Sequence, residues 1–420
     1  MSERGIERGG MGVKMGIQNL YGVLWKHRIP QFLFYIGLSV ELLIVIIDKS
    51  NYINPIEGIL FRVTFLLFAM KLLGTAYTWK EWCLIAFMEL IALISYRVTG
   101  KNDVIRIVTF VAACKGIPLK QMMRYAFYVT LAGCVVIVFL AAAGIYGDMS
   151  LTTDYGRDWA VIYGQNSIES RYTLGMGHPN AFSCMFLMLL CMGIYVYAER
   201  LKWYVYLFLM LLNIGVFKLT DSKTGMIVVT MLLLASFVMT YCRFFREKII
   251  AYICGFLVFL LCIGFSVDAA AGALQVKEAW INYVYSDLKP YDVHMQLLLQ
   301  ADRFMNGRIK SLTNTERKDG TIGTWSVFSA PENMDQYFDM GWVKLFYRYG
   351  IVPGALYCIA CIALLWQFYR KRDAFGLVIF TVLVVYSVME AHLFSVYIGR
   401  NFLLMMMGSY FLPIENIPKK

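Results

Sequence analysis

Charged side chains are scarce in this chain of 420 residues. Asp, Glu, Lys and Arg make up only 16% of the sequence, whereas 59% is hydrophobic and the mean hydropathy is +0.60. This composition excludes an ordinary soluble domain and is typical of a polytopic membrane protein. We therefore predict an all-α polytopic membrane protein with a single membrane domain over residues 1–420.

Several chemical motifs are missing as well. The predicted outer side has no HExxH and no paired Asp of the DxD kind, so the sequence requires no divalent metal, and we expect no cofactor. There is no GxSxG, no Ser/His/Asp frame and no GxxxxGK[ST] phosphate loop. None of the ten cysteines lies in the long polar stretch 268–340, so we expect neither disulfides nor Cys-based metal sites.

Apolar runs long enough to cross a membrane occupy most of the chain. A spanning helix needs about 20 mainly apolar residues. The fourth run is the shortest and carries Arg106. We predict about 12 spans, at roughly 30–47, 56–74, 80–96, 103–115, 125–145, 179–197, 203–219, 224–241, 249–267, 341–367, 374–391 and 399–413.

Lys and Arg cluster at every second connection. Basic residues in short loops resist translocation, so these connections and both termini, including residues 1–29, are expected in the cytoplasm. No small-residue cleavage site follows the first apolar run, which predicts a retained anchor. The same bias explains much of the net charge of +11, so no nucleic-acid partner is expected.

The opposite, outer face then receives loops at 146–178 and 268–340. Apolar residues at helical spacing predict two interfacial helices in the longer loop, Ala273–Leu288 and Val293–Phe304, separated at Pro290. Ionisable groups near hydrocarbon are expensive, so those that the orientation rule does not explain suggest function.

The first such segment is RYTLGMGHPN, from Arg171 to Asn180. Pro179 suits the first turn of a helix, where His178 and Asn180 either favour a bound anion or glycan or simply cap the helix. Arg171 is either a ligand-binding cation or a side chain that snorkels to the interface.

Further cations follow on the same face. Lys223 lies in the very short turn Thr220–Gly225, where it either binds an anion or is neutralised by Asp221. In the long loop, the guanidinium groups of Arg303 and Arg308 suit a diphosphate, because they form bidentate, charge-assisted bonds. Ordinary solvated loop charge is the alternative for Arg303, as it is for Lys310.

Candidate general bases lie near the last spans. Asp339 is either a helix N-cap or a base, and Glu390, His392 and His294 are alternative bases. Aromatic residues on this face, Trp342 among them, suit sugar stacking, although interfacial Trp is also a common membrane anchor.

The order of these segments resembles the O-antigen polymerase and ligase superfamily, most closely its capsular and exopolysaccharide repeat-unit polymerases from bacteria. The resemblance covers about Ser95 to Leu404. It rests on four motifs in order, followed by the sequence RYGI: Arg171 to Asn180, Ser222 to Gly225, Gly307 to Ile309, and Asp339 to Trp342.

This resemblance implies a GT-C-like membrane fold and metal-independent transfer of glycans from undecaprenyl diphosphate. It implies that Lys223 and Arg308 bind the donor diphosphate, with Arg171 as a third cation. The family often has Arg at the position of Lys223, so a bidentate contact is lost there. The ligase branch often carries His near the position of Asp339, which favours a polymerase.

The resemblance further implies a multi-pass protein of the bacterial cytoplasmic membrane. Its expected partners are the lipid-linked oligosaccharide, membrane lipids, and flippase and chain-length regulator proteins. Two other functions remain open: an O-antigen-ligase-type transferase, and a flippase for the same lipid-linked repeat. The halves of the chain show no internal repeat of the kind usual in transporters, which favours an enzyme.

Overall fold

The structure is a computed structural model that describes residues 28–154, 168–284, 292–313, 320–331, 333 and 338–412. Within these ranges it is an almost entirely helical bundle with 15 helices. Residues 1–27 of the predicted cytoplasmic segment lie outside the described residues.

The helices are numbered along the chain. They are α1 Arg28–Asp48, α2 Glu57–Leu73, α3 Trp79–Thr99, α4 Asp103–Ala113, α5 Leu119–Ala142, α6 Pro179–Tyr197, α7 Trp203–Thr220, α8 Lys223–Tyr241, α9 Arg243–Glu247, α10 Ile249–Val284, α11 Val293–Phe304, α12 Gly341–Tyr349, α13 Ile351–Lys371, α14 Ala374–Met389 and α15 Phe402–Phe411. Strands β1 Ser150–Asp154 and β2 Ile168–Tyr172 form an antiparallel pair inside the predicted loop 146–178, with Leu151 opposite Arg171.

Eight described helices are long and apolar enough to cross a membrane: α1, α3, α5, α6, α7, α8, α10 and α13. The protein is therefore a multi-pass membrane protein by length and composition. The other four predicted spans correspond to shorter helices of 17, 11, 16 and 10 residues, α2, α4, α14 and α15. Twelve full-length spans are thus not seen within the described residues.

Helix α14 forms the centre of the bundle. It has no charged residue, and nearly all of its residues are buried, as is typical of a helix that is apolar on every side. It packs against α6, α8, α10 and α13. Because α14 ends at Met389, it delivers the following residue, Glu390, to one end of the core.

Two predicted boundaries are wrong. The run predicted as one span at 341–367 is two helices, α12 and α13, because Gly350 between them has φ +93°. The helix predicted at Ala273–Leu288 is no separate interfacial helix, since its residues up to Val284 continue α10. Residues 249–284 contain no proline, so no residue of this kind breaks the helix. The second predicted helix, Val293–Phe304, is confirmed as α11.

The connections between helices divide into two ends. What we call the loop end holds the connections after α1, α3, α5, α7, α11 and α14; contacts there include the backbone bond from Gly177 N to Lys49 O and the ion pair of Arg171 with Asp221. What we call the basic end holds the connections after α2, α4, α6, α8, α9 and α13, tied by contacts such as Glu199 with Arg246. The basic end carries most of the clustered charges: Lys80, Lys115, Lys120, Arg200, Lys202, Arg243, Arg246, Lys248, Arg370, Lys371 and Arg372.

Candidate functional site

Arg308 is the centre of a charged cluster at the loop end. Its Nη2 donates to Glu390 Oε1 at 2.6 Å, and its Nη1 donates to the carbonyl oxygen of Met389. Its Nε lies 3.4 Å from Asp339 Oδ2. The side chain is only 12% exposed, so these partners hold the guanidinium in a largely desolvated position.

A tight turn after α11 aims Arg308 into the bundle. Asp302 is buried, and its Oδ1 accepts the backbone amides of Ile309 at 2.8 Å and Lys310 at 3.0 Å. Gly307, with φ +78°, donates its amide to the Asp302 carbonyl at 2.8 Å. Asp302 therefore closes the loop on both sides of Arg308, through its backbone carbonyl before that residue and its carboxylate after it.

The two carboxylates around Arg308 differ in exposure. Glu390 is 13% exposed, whereas Asp339 is 39% exposed. Burial raises the pKa of the Glu390 carboxyl above its ordinary value, Arg308 opposes that shift, and Asp339 adds to it. Asp339 does not cap α12, because the N-cap position is Met340 and no side chain caps it. Asp339 is therefore the more accessible acceptor beside Arg308.

Arg171 on β2 lies in a neighbouring part of the loop end. Its Nε donates to Glu169 Oε2 at 3.0 Å, and its Nη2 lies 2.9 Å from Asp221 Oδ2. Asp221, which one interpretation of the sequence has neutralise Lys223, thus pairs with Arg171. Burial and these partners make Arg171 part of a network rather than a snorkelling side chain.

Lys223 is the first residue of α8, and its side chain is exposed. The next residue, Thr224, places its Oγ1 3.9 Å from Met389 Sδ, beside the residue whose carbonyl accepts from Arg308. Gly225 lets α8 approach α6 closely, since a Cβ there would clash with Ser183 Oγ. The short turn therefore joins the Arg171 network to the Arg308 cluster.

His178 caps α6, as one of the two interpretations of this segment predicts. Its Nδ1 accepts the backbone amide of Asn180 at 3.1 Å, and Pro179 occupies the first turn. Partial burial lowers the pKa of the His178 imidazole, Arg171 and Lys49 lower it further, and Asp339 opposes them. The ring therefore lies within electrostatic range of Arg171 and of Asp339, the carboxylate beside Arg308.

Two other predicted site residues, Trp342 and His294, lie apart from an accessible site. Trp342 is 1% exposed, donates to Val384 O at 3.0 Å and packs on Phe259 and Phe394, so its ring cannot stack on a sugar. This corrects its assignment as a glycan contact. His294 binds the carboxylate of Asp268 at 2.9 Å at the exposed periphery.

His392 and Arg303 also lie in surroundings that do not suit a residue at the centre of the site. His392 is buried, and burial, followed by the charges of Lys49 and Lys344, lowers the pKa of its imidazole well below the ordinary value. It is therefore a poor proton acceptor from a substrate hydroxyl. Arg303 is exposed on the last turn of α11, unlike the largely buried Arg308.

Sequence reasoning missed Lys49 and Lys344. Lys49 follows α1 in the predicted outer connection Asp48–Pro55. The orientation rule does not explain a cation predicted on that side, and the same signal identified Lys223. Lys344 is buried in the second turn of α12. Its position within an apolar run is the signal that was overlooked.

Among the described residues, no group of three or more His, Cys, Asp or Glu side chains could hold a metal ion. Comparisons with protein-family models, with curated proteins and with solved structures find no match for this chain.

Proposed function

We propose that this protein is a glycosyltransferase that polymerises undecaprenyl-diphosphate-linked oligosaccharide repeat units on the outer face of a bacterial cytoplasmic membrane. The observation that carries the proposal is the largely buried Arg308 between Asp339 and Glu390, with Arg171 and the Lys223 turn beside it. A lipid diphosphate needs cations at the membrane edge, and sugar transfer needs a carboxylate next to them.

The orientation in this proposal follows from the two ends of the bundle. The basic end, with its clustered Lys and Arg, suits the cytoplasmic side. The loop end, with the Arg308 cluster, then faces outward. Attachment of a cysteine probe to Lys223→Cys from outside intact cells, and to Arg370→Cys only after permeabilisation, is the expected labelling pattern.

In the proposed reaction, a hydroxyl of one lipid-linked repeat attacks C1 of the reducing-end sugar of another. A bond forms between the hydroxyl oxygen and C1, and the bond from C1 to the diphosphate oxygen breaks. Its electron pair leaves with undecaprenyl diphosphate, and configuration at C1 is inverted. The proton of the hydroxyl passes to a carboxylate of the protein.

Arg308 would stabilise the charge that develops on the leaving diphosphate. Removal of one such preorganised donor costs about 10²-fold to 10³-fold in rate in other enzymes. The guanidinium donates through separate nitrogen atoms. Its Nε can therefore exchange Asp339 for a phosphate oxygen while Nη1 and Nη2 still bind Met389 and Glu390. Lys223 and Arg171 would bind the same diphosphate.

Asp339 is the proposed base, because it is the more exposed carboxylate and makes the longer contact with Arg308. Glu390, whose only described ion pair is with Arg308, would hold the guanidinium in place. A positioned base contributes about 10²-fold to 10⁴-fold. Asp339→Asn should therefore slow the reaction, whereas Glu390→Gln should weaken diphosphate binding as well.

The test is reconstitution of the purified protein with a synthetic undecaprenyl-diphosphate-linked repeat. Dimers and longer products are expected from the wild type, and none from Arg308→Ala. Arg372→Ala at the basic end is the matched control and should leave product length unchanged. Normal polymer from Arg308→Ala at equal protein level would refute the proposed role of Arg308.

A deletion strain separates the alternative functions. Single repeats that accumulate on the outer leaflet support a polymerase, because their export is intact. Accumulation on the inner leaflet would instead indicate a flippase. Normal polymer that is not transferred to its final acceptor would indicate a ligase.

A further inference from the structure

Arg106 is a buried cation that the Arg308 cluster does not include. It lies on α4 within an apolar run, and its side chain is 2% exposed. Its Nη2 donates at 3.0 Å to Oε1 of Glu41 on α1, which is 1% exposed and also accepts the Thr64 hydroxyl at 2.6 Å. A buried ion pair in a membrane bundle is expensive, so its geometry indicates what it is for.

The pair of Arg106 and Glu41 lacks the geometry that would stabilise it most. A guanidinium and a carboxylate bond most strongly through two parallel contacts. Here Arg106 Nε and Glu41 Oε2 are both buried, and neither has a hydrogen-bond partner among the described residues. Arg106 instead directs its Nη1 to the carbonyl oxygen of Val396, at 3.1 Å. The side chain is therefore placed to bind Val396 as well as Glu41, rather than to form the strongest ion pair.

Val396 lies in the segment 390–401 between α14 and α15, which contains no α-helix. We call this segment the connector. It begins with Glu390, the carboxylate that bonds to Arg308 at 2.6 Å. Where the connector lies thus decides where this carboxylate lies.

Hydrogen bonds from other helices hold the connector. Carbonyl groups outside an α-helix need donors from elsewhere when they are buried. The hydroxyl of Tyr349 on α12 donates to Ser395 O at 3.3 Å, and Asn401 Nδ2 donates to Leu393 O at 3.4 Å. Of these donors and Arg106, only Arg106 carries a charge, and charge-assisted hydrogen bonds are the stronger kind. Arg106 therefore makes the firmest of these contacts with the connector.

A short packed turn joins Val396 to Glu390. The amide of Phe394 donates to Ala391 O at 3.1 Å, which closes the turn. A Cβ on Gly341 would lie 2.8 Å from Glu390 O and 3.1 Å from Phe394 Cδ2, so the start of α12 packs against both ends of this turn. A displacement at Val396 therefore reaches Glu390 through closely packed atoms.

We infer that Arg106, held by Glu41, is a positioning residue that fixes the connector so that Glu390 meets Arg308. Its effect on the reaction rests on the proposed function, whereas its link to Glu390 does not. A misplacement of about 1 Å, caused far from the reacting atoms, can slow an enzyme about 100-fold. Arg106 thus acts on the reaction through Glu390 and touches no substrate itself.

Arg106→Lys is the variant that distinguishes positioning from simple stabilisation. Lysine keeps a charge beside Glu41 but lacks the fork that also reaches Val396. With the synthetic lipid-linked repeat, kcat should fall and KM should rise, as in Glu390→Gln, and kcat/KM should fall about 10-fold to 100-fold. A merely structural defect would lower the amount of active enzyme and leave KM unchanged. Wild-type kinetics, or a lower kcat with unchanged KM, would overturn the inference.

The matched control is Arg97→Lys, an exposed arginine in the last turn of α3. It makes the same chemical change near the same end of the bundle and should leave kcat and KM at their wild-type values. A change as large as that of Arg106→Lys would mean that the effect is not specific to Arg106, and it would also overturn the inference.

A double-mutant cycle tests the link between Arg106 and Glu390 without reference to the reaction. Glu390→Gln should shift the thermal unfolding midpoint less in Arg106→Lys than in the wild type, because the contact of Glu390 with Arg308 is already loosened. Residues that share no contacts usually give additive effects. Equal shifts in the two backgrounds would overturn the inference. A smaller shift together with no polymer from the wild type would leave the link standing and refute the proposed function alone.

A second variant keeps the test decisive if Arg106→Lys does not fold. Glu41→Gln combined with Arg106→Gln removes both buried charges together, so it leaves no unpaired ion. Its shorter side chain at position 106 also lacks the guanidinium fork. This double variant should fold and show the same fall in kcat/KM and the same reduced shift for Glu390→Gln. Wild-type values of both would overturn the inference.

Discussion

Arg308→Ala should destabilise the protein in a way that depends strongly on pH. In the folded protein the Glu390 carboxylate is 13% exposed and bonds to Arg308 at 2.6 Å. Without the guanidinium, a buried charge loses its partner, which costs about 3–5 kcal/mol in comparable cases. The contact with Asp339 adds little to this figure, because that carboxylate is 39% exposed and is screened by solvent.

The pH dependence follows from the pKa of Glu390. Burial already raises this pKa and Arg308 lowers it, so removal of Arg308 raises it further. A carboxyl whose pKa is higher in the folded state binds its proton more tightly there. The variant is therefore stabilised below the ordinary pKa of Glu, and it loses that stability as the pH rises through the folded-state pKa. The difference from wild type should be largest at pH 8 and smallest near pH 5.

The assay is chemical unfolding in mixed micelles, followed by tryptophan fluorescence at pH 5 and pH 8. Near pH 5 the unfolding free energy that Arg308→Ala loses should shrink to about 1 kcal/mol, the contribution of an ordinary hydrogen bond. The double variant Arg308→Ala with Glu390→Gln should lose most of the pH dependence, and Arg303→Ala, an exposed arginine of the same loop, should behave like wild type. An equal loss at both pH values would refute the reasoning.

Three further outcomes are expected. Asp302→Ala leaves two backbone amides of the Arg308 turn without their acceptor, so it should lower the unfolding free energy by about 1–3 kcal/mol and slow the proposed polymer formation. Asp302→Asn keeps one acceptor oxygen and should retain most of the stability and most of the activity. Gly350→Ala should destabilise the protein by more than about 1 kcal/mol in thermal unfolding, because φ is +93° and a Cβ would lie 2.6 Å from neighbouring backbone, while Gly215→Ala, in open space within a helix, should be neutral or stabilising. Trp342→Phe removes the bond to Val384 and should cost about 1 kcal/mol without a change in KM for the glycan, and a raised KM would contradict its core position.

Local signals were sufficient for several elements. Pro179 after His178 predicts the start of α6, and the structure has this proline in the first turn with His178 as the cap. Apolar spacing between Val293 and Phe304 predicts α11 with the observed bounds. These features depend on residues close together in the sequence, which is why the sequence alone reveals them.

Other features depend on contacts between distant segments. At the break, the backbone of Phe328 and Ser329 lies so close to Gly350 that a Cβ there would clash with it. Gly350 and Pro353 are local signals of a break, but the apolar residues on both sides continue the pattern of a single span. Periodicity alone therefore predicts one span where the structure has two helices.

In the candidate site, too, single residues are identifiable from the sequence, whereas their contacts with distant residues are not. Arg308 and Glu390 are each identifiable as charges near a membrane edge, but their pairing joins residues 82 positions apart and depends on where α14 ends. Trp342 could equally face a sugar, an interface or the core, because its ring suits all three. The structure places the ring in the core, because helices distant in the sequence contact Trp342 in the folded bundle.

Helix α10 is longer than a membrane crossing requires. Its 36 residues span about 54 Å, which is about 24 Å more than the thickness of a bilayer's hydrocarbon core. Its C-terminal part bonds through Lys277 to Thr313 and carries Trp280 under Lys310. One residue inserted near the middle of α10 would turn this face by about 100° and carry Arg308 away from Glu390. The rotational phase of this helix thus sets whether the charges of the Arg308 cluster meet.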